Sequence, residues 1–200
     1  MIIDEQRLRQ AAGRFWTRFV SEIAPLGQHL IQNHTAIFES VESALAEAGV
    51  DFVFDITAFE SDSGLIFTPE GDEEVAGAID LFLAERPEVP GWRIFGRRQP
   101  KAWHDALLLV GQIAEANLSD ARFAVWRVGS GLAVDVVAAE LAQFEDDSAK
   151  SIAMLLLHHA LGEAFVMNSV QELSGHAEEL PGRKYLTPEE LTAFLHGLRS

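Results

Sequence analysis

The chain has 200 residues, of which 48% are hydrophobic and 9% aromatic, a composition typical of a globular protein with a substantial core. Because it has no cysteine, disulfides, thiolate metal sites and cysteine nucleophiles are excluded. Its 31 acidic and 15 basic residues give a formal charge of −16, which disfavours nucleic-acid and anionic-membrane partners.

The first residues of the chain, 1–5, become polar too quickly for a signal peptide, and the longest apolar run, 152–157, is too short to span a bilayer. The missing cysteines fit a reducing compartment. We therefore expect a soluble, cytoplasmic protein.

The N-terminal part of the chain predicts a first helix. Apolar residues recur at helical spacing from Leu8 to Ile23 and include Phe15, Trp16 and Phe19. Such a stripe is typical of a core, and the alternative is an exposed face for a partner helix or for self-association.

A second helix is predicted after the interruption at residues 25–27. It starts at about Thr35, turns Phe38, Val41 and Leu45 inward, and ends at Gly49.

Residues 52–95 predict a β-β-α-β unit. Aromatic and β-branched residues make strands of 52–59 and 65–68, joined by a loop of about five residues. Asp72 is a good N-cap, with acids in the first turn of the helix that follows. The strand 92–95 closes the unit.

The second half of the chain is less regular. Periodicity leaves residues 105–113 open between strand and helix. Strands are predicted at 122–128 and 132–137 around the turn Gly129-Ser130-Gly131, and another at 165–173. Residues 175–184 form the predicted mobile loop.

Two more helices are predicted there. Asp147 or Ser148 can cap a buried helix that runs to about Leu161. The sequence Thr187-Pro188-Glu189-Glu190 is a capping box with proline at the first helical position, so a terminal helix begins there.

This order of elements predicts an α+β fold: an antiparallel or mixed sheet built from hairpins and a β-β-α-β unit, covered by helices, with an N-terminal helical pair. No internal repeat or linker is visible. We expect a single α+β domain over residues 1–200, in which 1–49 form the N-terminal helices and 50–200 the sheet and its covering helices.

Three segments resemble uncharacterised bacterial proteins of the domain-of-unknown-function kind. The first is a strand ending at Gly-Asp, residues 65–72; the second is a proline-containing loop leading to a Trp-bearing strand, residues 86–95; the third is Leu161-Gly162-Glu163. The resemblance implies a bacterial module, with no assigned chemistry to carry over to any residue.

Residues 39–90 hold fourteen acids and one base, a formal charge of −13. We call this stretch the acidic block; its acids are Glu39, Glu42, Glu47, Asp51, Asp55, Glu60, Asp62, Glu70, Asp72, Glu73, Glu74, Asp80, Glu85 and Glu88. Such a charge attracts cationic partners, although acidic surfaces also simply keep proteins soluble.

Four of these acids, Glu70, Asp72, Glu73 and Glu74, are the candidate partner-binding residues. Their alternative role is to cap a helix, because acids are ordinary at N-cap and first-turn positions. They argue against a phosphate site at that helix start, and they lack the pattern of a calcium loop.

The segment His158-His159-Ala-Leu-Gly-Glu163 is a candidate metal site. On a continuous helix His159 and Glu163 share a face at i,i+4, with His158 assisting, and a third ligand must come from elsewhere, such as His176 or Asp135. The alternative is that the histidines are structural, which we favour because metal sites normally need three or four ligands. We therefore expect no cofactor.

Other motifs indicate no chemistry. The segment Gly129-Ser130-Gly131 lies between strands, unlike a nucleophile elbow, and no Walker A loop or dinucleotide fingerprint is present. A small basic cluster beside Trp92 and Trp103 is too sparse for nucleic acid at this net charge; it consists of Arg93, Arg97, Arg98 and Lys101.

The leading hypothesis is a non-enzymatic acidic interaction or regulatory protein that binds a basic protein partner. The first alternative is a metal-dependent hydrolase using His159 and Glu163, and the second is a small-molecule binding module with a pocket between sheet and helices.

Overall fold

The computed structural model describes residues 4–198. The chain folds into two compact units, Met1–Arg98 and Gln99–Ser200, here called the N-unit and the C-unit. The sequence led us to expect one domain with helices up to residue 49. In the structure those helices belong to the same compact unit as residues 50–98, because their apolar faces pack on its sheet.

The N-unit begins with the two predicted helices. Helix α1 spans Glu5–Arg18 and continues through a π-helical turn, Phe19–Ile23, and a 3-10 segment, Ala24–His29. Helix α2, Leu30–Ala48, starts five residues before the predicted Thr35 and ends at Gly49, whose φ of 77° is left-handed as a C-cap glycine requires. The predicted inward position of Phe38 is wrong, since its side chain is 39% exposed.

Sheet 1 is the predicted β-β-α-β unit. It contains β1 (Val53–Phe59), β2 (Asp62–Thr68) and β3 (Trp92–Phe95), with α3 (Glu73–Ala84) between the last two. Strand β2 pairs antiparallel with β1 and parallel with β3, in the order β1-β2-β3. The hairpin turn has two residues rather than about five, because Phe59 pairs with Asp62.

The core of the N-unit is aromatic. Phe82 of α3 is fully buried. Its ring centroid lies 5.3 Å from that of Phe15, 5.5 Å from that of Trp16 and 5.7 Å from that of Phe67. The aromatic stripe of α1 therefore packs inside the unit and is not an exposed face.

The C-unit contains α4 (Trp103–Ala114), β4 (Arg122–Val128), β5 (Gly131–Val137), α5 (Asp146–Leu161), α6 (Glu163–Ser169), β6 (Val170–His176) and α7 (Pro188–Gly197). Residues 105–113, which the sequence leaves open between strand and helix, thus belong to helix α4. Residues 165–169, predicted as strand, belong to α6, and β6 extends three residues beyond Leu173. Helix α5 starts earlier than predicted, after Glu145, which makes no side-chain cap. The capping box of Thr187 and Glu190 is present.

Sheet 2 repeats the topology of sheet 1. Strand β5 pairs antiparallel with β4 and parallel with β6, and each hairpin has two seven-residue strands around a two-residue turn. The apolar face packs on α5, where the backbone of Gly175 in β6 is so close that a Cβ would lie 2.5 Å from the carbonyl oxygen of Ala149. The two hairpins share this geometry with little sequence identity, because a sheet needs only alternation and a turn.

The fold is therefore α+β, with two mixed three-stranded sheets covered by helices and an N-terminal helical pair. Among residues 4–198, no helix has both the length and the apolar character that crossing a membrane requires.

Candidate functional site

The acids of the acidic block lie mostly at the surface. Twelve of the fourteen are exposed, and only Asp55 and Asp62 are half-buried. They do not form one patch. Glu60 lies at the hairpin turn and Asp72 beyond the other end of β2, so about 20 Å of seven-residue strand separates them.

Arginines from outside the acidic block neutralise part of it. Among the described residues, ion pairs join Glu47 with Arg18, Asp55 and Glu70 with Arg98, Asp62 with Arg93, Asp80 with Arg97, and Glu85 with Arg9. The N-unit as a whole has seventeen acids and eight bases, a formal charge of −9, against −7 for the C-unit. The charge asymmetry along the sequence is thus much weaker between the folded units.

The predicted basic cluster is used in these ion pairs. Arg93 Nε lies 3.0 Å from Asp62, Arg97 Nη2 lies 3.1 Å from Asp80, and Arg98 Nε lies 3.0 Å from Asp55. Arg98 is itself buried. The three arginines therefore balance nearby acids and do not form a concentrated basic surface.

Arg18 Nε also lies 3.0 Å from Glu22, one helical turn further along the chain. The hydrogen bond that Arg18 donates to Glu22 raises the pKa of the guanidinium above its ordinary value, and Glu47 acts in the same direction.

The candidate partner-binding residues occupy the corner where β2 leads into α3. All four are exposed. Asp72 is the N-cap, accepting hydrogen bonds from the backbone N–H of Glu74 at 2.8 Å and of Val75 at 3.0 Å, and Glu70 lies 3.7 Å from Arg98. Asp72 and Glu70 thus have structural roles, whereas Glu73 and Glu74 complement the helix dipole from exposed positions.

A different surface of the N-unit combines acids with uncovered apolar side chains. On α2, Ile31 is 91% exposed and Phe38 is 39% exposed, two helical turns apart, and the Phe38 ring lies 4.7 Å from Phe54 of β1. The acids Glu39 and Glu42 accompany them on the exposed surface of the helix.

Asp51 precedes β1 and is also exposed. None of the ion pairs within residues 4–198 involves Glu39, Glu42 or Asp51. We call Ile31, Phe38, Glu39, Glu42 and Asp51 the α2 flank.

The continuous helix that the candidate metal pair requires is not formed. Helix α5 ends at Leu161, and Gly162, with φ of 85° and ψ of 137°, redirects the chain, so that Glu163 starts a new helix and does not share a helical face with His159. Instead His158 Nδ1 lies 3.6 Å from Glu163 Oε1, and His158, His159 and Glu163 are all buried. His159 and Glu163 are therefore not an i,i+4 pair on one continuous helix.

The suggested third ligands, Asp135 and His176, lie on the face of sheet 2 that points away from α5 and its histidines. Val134 and Val136 belong to the core that includes α5, so Asp135 between them points to the other face. Within residues 4–198, no three His, Asp or Glu side chains are grouped closely enough to hold a metal ion.

Asp135 is the centre of a polar cluster that covers this second face. Its carboxylate is 1% exposed, is ion-paired with Arg183, accepts a hydrogen bond from Ser174 Oγ, and lies 3.4 Å from the hydroxyl oxygen of Tyr185 and 3.8 Å from His176 Nε2. The Arg183 guanidinium also stacks over Trp126, 4.0 Å from the ring centroid.

This cluster is not a catalytic triad. Ser174 donates directly to Asp135, so His176 does not stand between the hydroxyl and the acid as a general base must. The groups instead hold the segment 177–186 against the sheet.

The C-unit also has an open cleft of about 740 Å³ between α4, the loop that follows it and the start of α7. Its walls include the apolar residues Trp103, Leu107 and Leu118 and the polar residues Asp120 and Arg122. A volume of this size is in the range of small-molecule sites.

Comparison with protein-family models, with curated proteins and with solved structures finds no match for this chain. The resemblance to bacterial domain-of-unknown-function proteins therefore stays a prediction.

The α2 flank and the Asp135 cluster are not predicted from the sequence. Ile31 is not predicted as part of α2, because the predicted helix begins only at Thr35, after the proline and glycine at residues 25–27. For Asp135 a signal existed: an acid inside the otherwise apolar strand Leu132–Val137 must be exposed at an edge or held by partners.

Proposed function

We propose that this protein is a non-enzymatic interaction protein that binds a basic protein partner through the acidic surface of its N-unit. The observation that carries the proposal is the α2 flank, where exposed apolar side chains lie among acids that are not neutralised by ion pairs.

The apolar and the acidic residues of the α2 flank would contribute to binding in different ways. Burying Ile31 against a partner supplies affinity that salt does not screen, on the order of 1.5–3 kcal/mol, and burying the 39% of Phe38 that is exposed adds a smaller amount. Glu39, Glu42 and Asp51 select a cationic partner and speed its approach. The corner residues Glu73 and Glu74 add to the same field.

The test is a pull-down from the source cells at about 50 mM and about 300 mM salt, with an acid-neutralised variant, Glu39→Gln/Glu42→Gln/Asp51→Asn. The matched control is Glu172→Gln/Glu178→Gln/Glu179→Gln, which makes the same change in net charge at exposed acids of the C-unit. A basic partner should be retained by the control and lost by the first variant. Equal retention by both variants would refute the role of the α2 flank.

A second candidate function is small-molecule binding in the C-unit cleft, favoured by its volume and its mixed lining. It is tested by screening compounds for a rise in melting temperature. A genuine ligand should lose its effect in Leu107→Asp, which places a charge in the cleft wall.

A further inference from the structure

Strand β1 is an edge of sheet 1. It pairs with β2 over all seven residues, and no strand among residues 4–198 pairs with its other side. Such an edge displays a row of N–H and C=O groups that can receive another strand. It contains no proline and no lysine, two residues that commonly block edge pairing.

In the C-unit the equivalent edge, the outer edge of β4, is occupied by a short segment of the same unit. Phe123 is the second residue of β4, and its N–H and C=O bond Leu186 at 3.0 Å and 2.7 Å in an antiparallel bridge. Phe54 is the second residue of β1 in a hairpin of the same dimensions. The outward groups of β1 are therefore those of Phe54 and, by alternation, of Ile56 and Ala58.

The N-unit supplies no such segment of its own within residues 4–98, yet it presents side chains beside this edge. The contact between Phe38 and Phe54 places α2 next to β1. Ile31 lies about 10 Å from Phe38 along the helix, a distance that about three residues of strand would span.

The charge around the β1 edge distinguishes between a second copy of the chain and a basic partner as its occupant. Helix α2 and strand β1 contain no lysine or arginine, while Glu39, Glu42 and Asp51 are exposed around them. A second copy of the chain paired through β1 would bring two such acidic surfaces together, which is unfavourable. An extended segment carrying lysine or arginine between apolar residues complements both the charge and the apolar side chains.

We propose that the N-unit binds its basic partner by β-strand addition: an extended, Lys/Arg-containing segment pairs antiparallel with the outer edge of β1 and packs on Ile31 and Phe38. This inference rests on the proposed function and specifies its binding mode. Backbone hydrogen bonds supply affinity, and the alternating side chains supply selectivity.

The experiment uses the full chain and a synthetic peptide alternating valine and lysine, with the same peptide N-methylated at alternate amides as the control. Binding is followed by fluorescence anisotropy and by amide hydrogen exchange. We expect exchange to slow by about tenfold or more at Phe54, Ile56 and Ala58, with little change at Asp55 and Thr57, whose amides face β2. The N-methylated peptide should bind about tenfold more weakly or worse, because it cannot complete the ladder.

Two variants test the apolar contact. Ile31→Ser should weaken peptide binding by about tenfold, since it removes a side chain that the complex buries. Val20→Ser, at another exposed apolar residue of the N-unit, should leave binding unchanged.

Binding without protection of these amides, and with equal affinity for the N-methylated peptide, would overturn strand addition while leaving an electrostatic partner-binding role intact. Failure of both peptides to bind would also overturn strand addition, and the proposed function would then stand or fall on the acid-neutralised variant in the pull-down.

Discussion

Replacing Asp135 tests whether the polar cluster of the C-unit is a structural clamp. Asp135→Ala removes the ion pair with Arg183 and the contact with Tyr185, both of which tie the segment 177–186 to sheet 2, and it removes the acceptor for Ser174 Oγ within the sheet. The substitution adds no bulk in the sheet, so the loss is of interactions and not of space.

The magnitude follows from burial. Breaking a fully buried ion pair by removing one partner costs about 3–5 kcal/mol. The Arg183 side chain is 35% exposed, so water can solvate it once Asp135 is gone, and it keeps its stacking on Trp126. We therefore expect a smaller loss of about 2–3 kcal/mol for release of this segment.

Trypsin provides the assay, because Arg183 and Lys184 lie in the clamped segment. If the segment opens and closes faster than it is cut, cleavage follows the population of the open form, and about 2–3 kcal/mol corresponds to about a hundredfold faster cleavage. Mass spectrometry identifies the cut, and urea unfolding of the full chain separates local release from global unfolding.

The control is Glu172→Ala, an exposed residue of β6 that alternation places on the same face of sheet 2. It should change unfolding by no more than about 0.5 kcal/mol and leave the cleavage rate unchanged. If Asp135→Ala is cleaved at Arg183 and Lys184 no faster than this control, the clamp reasoning is wrong.

Three further predictions concern the folding of the two units. Asp72→Ala should destabilise the N-unit by about 1 kcal/mol through loss of the α3 N-cap, whereas the exposed neighbour variant Glu73→Gln should cost at most about 0.5 kcal/mol; urea unfolding distinguishes them, and equal effects would contradict the capping role. Phe82→Ala should cost about 3–5 kcal/mol, because the ring is fully buried among aromatic neighbours, and a melting temperature close to wild type would show that the site is not core. Gly175→Ala should cost about 1–3 kcal/mol, because its Cβ would meet the backbone of α5, and thermal unfolding without a shift would mean that β6 and α5 can separate freely.

Local chemistry explains what was predictable in this fold. The caps at Asp72 and Thr187 and the left-handed stop at Gly49 were correct, because each depends on a side chain and the backbone within a few residues. The predicted β-β-α-β order of residues 52–95 was also correct, because strand alternation and turn residues can be recognised within short segments of sequence.

Local patterns failed where neighbours distant in sequence competed. Residues 165–169 have the composition of a strand, yet they form α6, where Val166 is buried in the core around α5. The i,i+4 pair of His159 and Glu163 assumed a continuous helix, and the positive φ of Gly162 instead brings Glu163 to His158.

The amino-acid sequence by itself determined the acidic composition, the α+β class and the starts of elements such as α3, β4 and α7, because charge, alternation and capping are properties of short segments. Only the tertiary structure decided which acids are neutralised by arginines such as Arg18 and Arg98, that the chain forms two compact units, and that Asp135 is buried with Arg183. The ion pairs join residues separated by tens of positions. Their free energy depends on the distance between the charges and on their burial, and no local sequence pattern encodes either quantity.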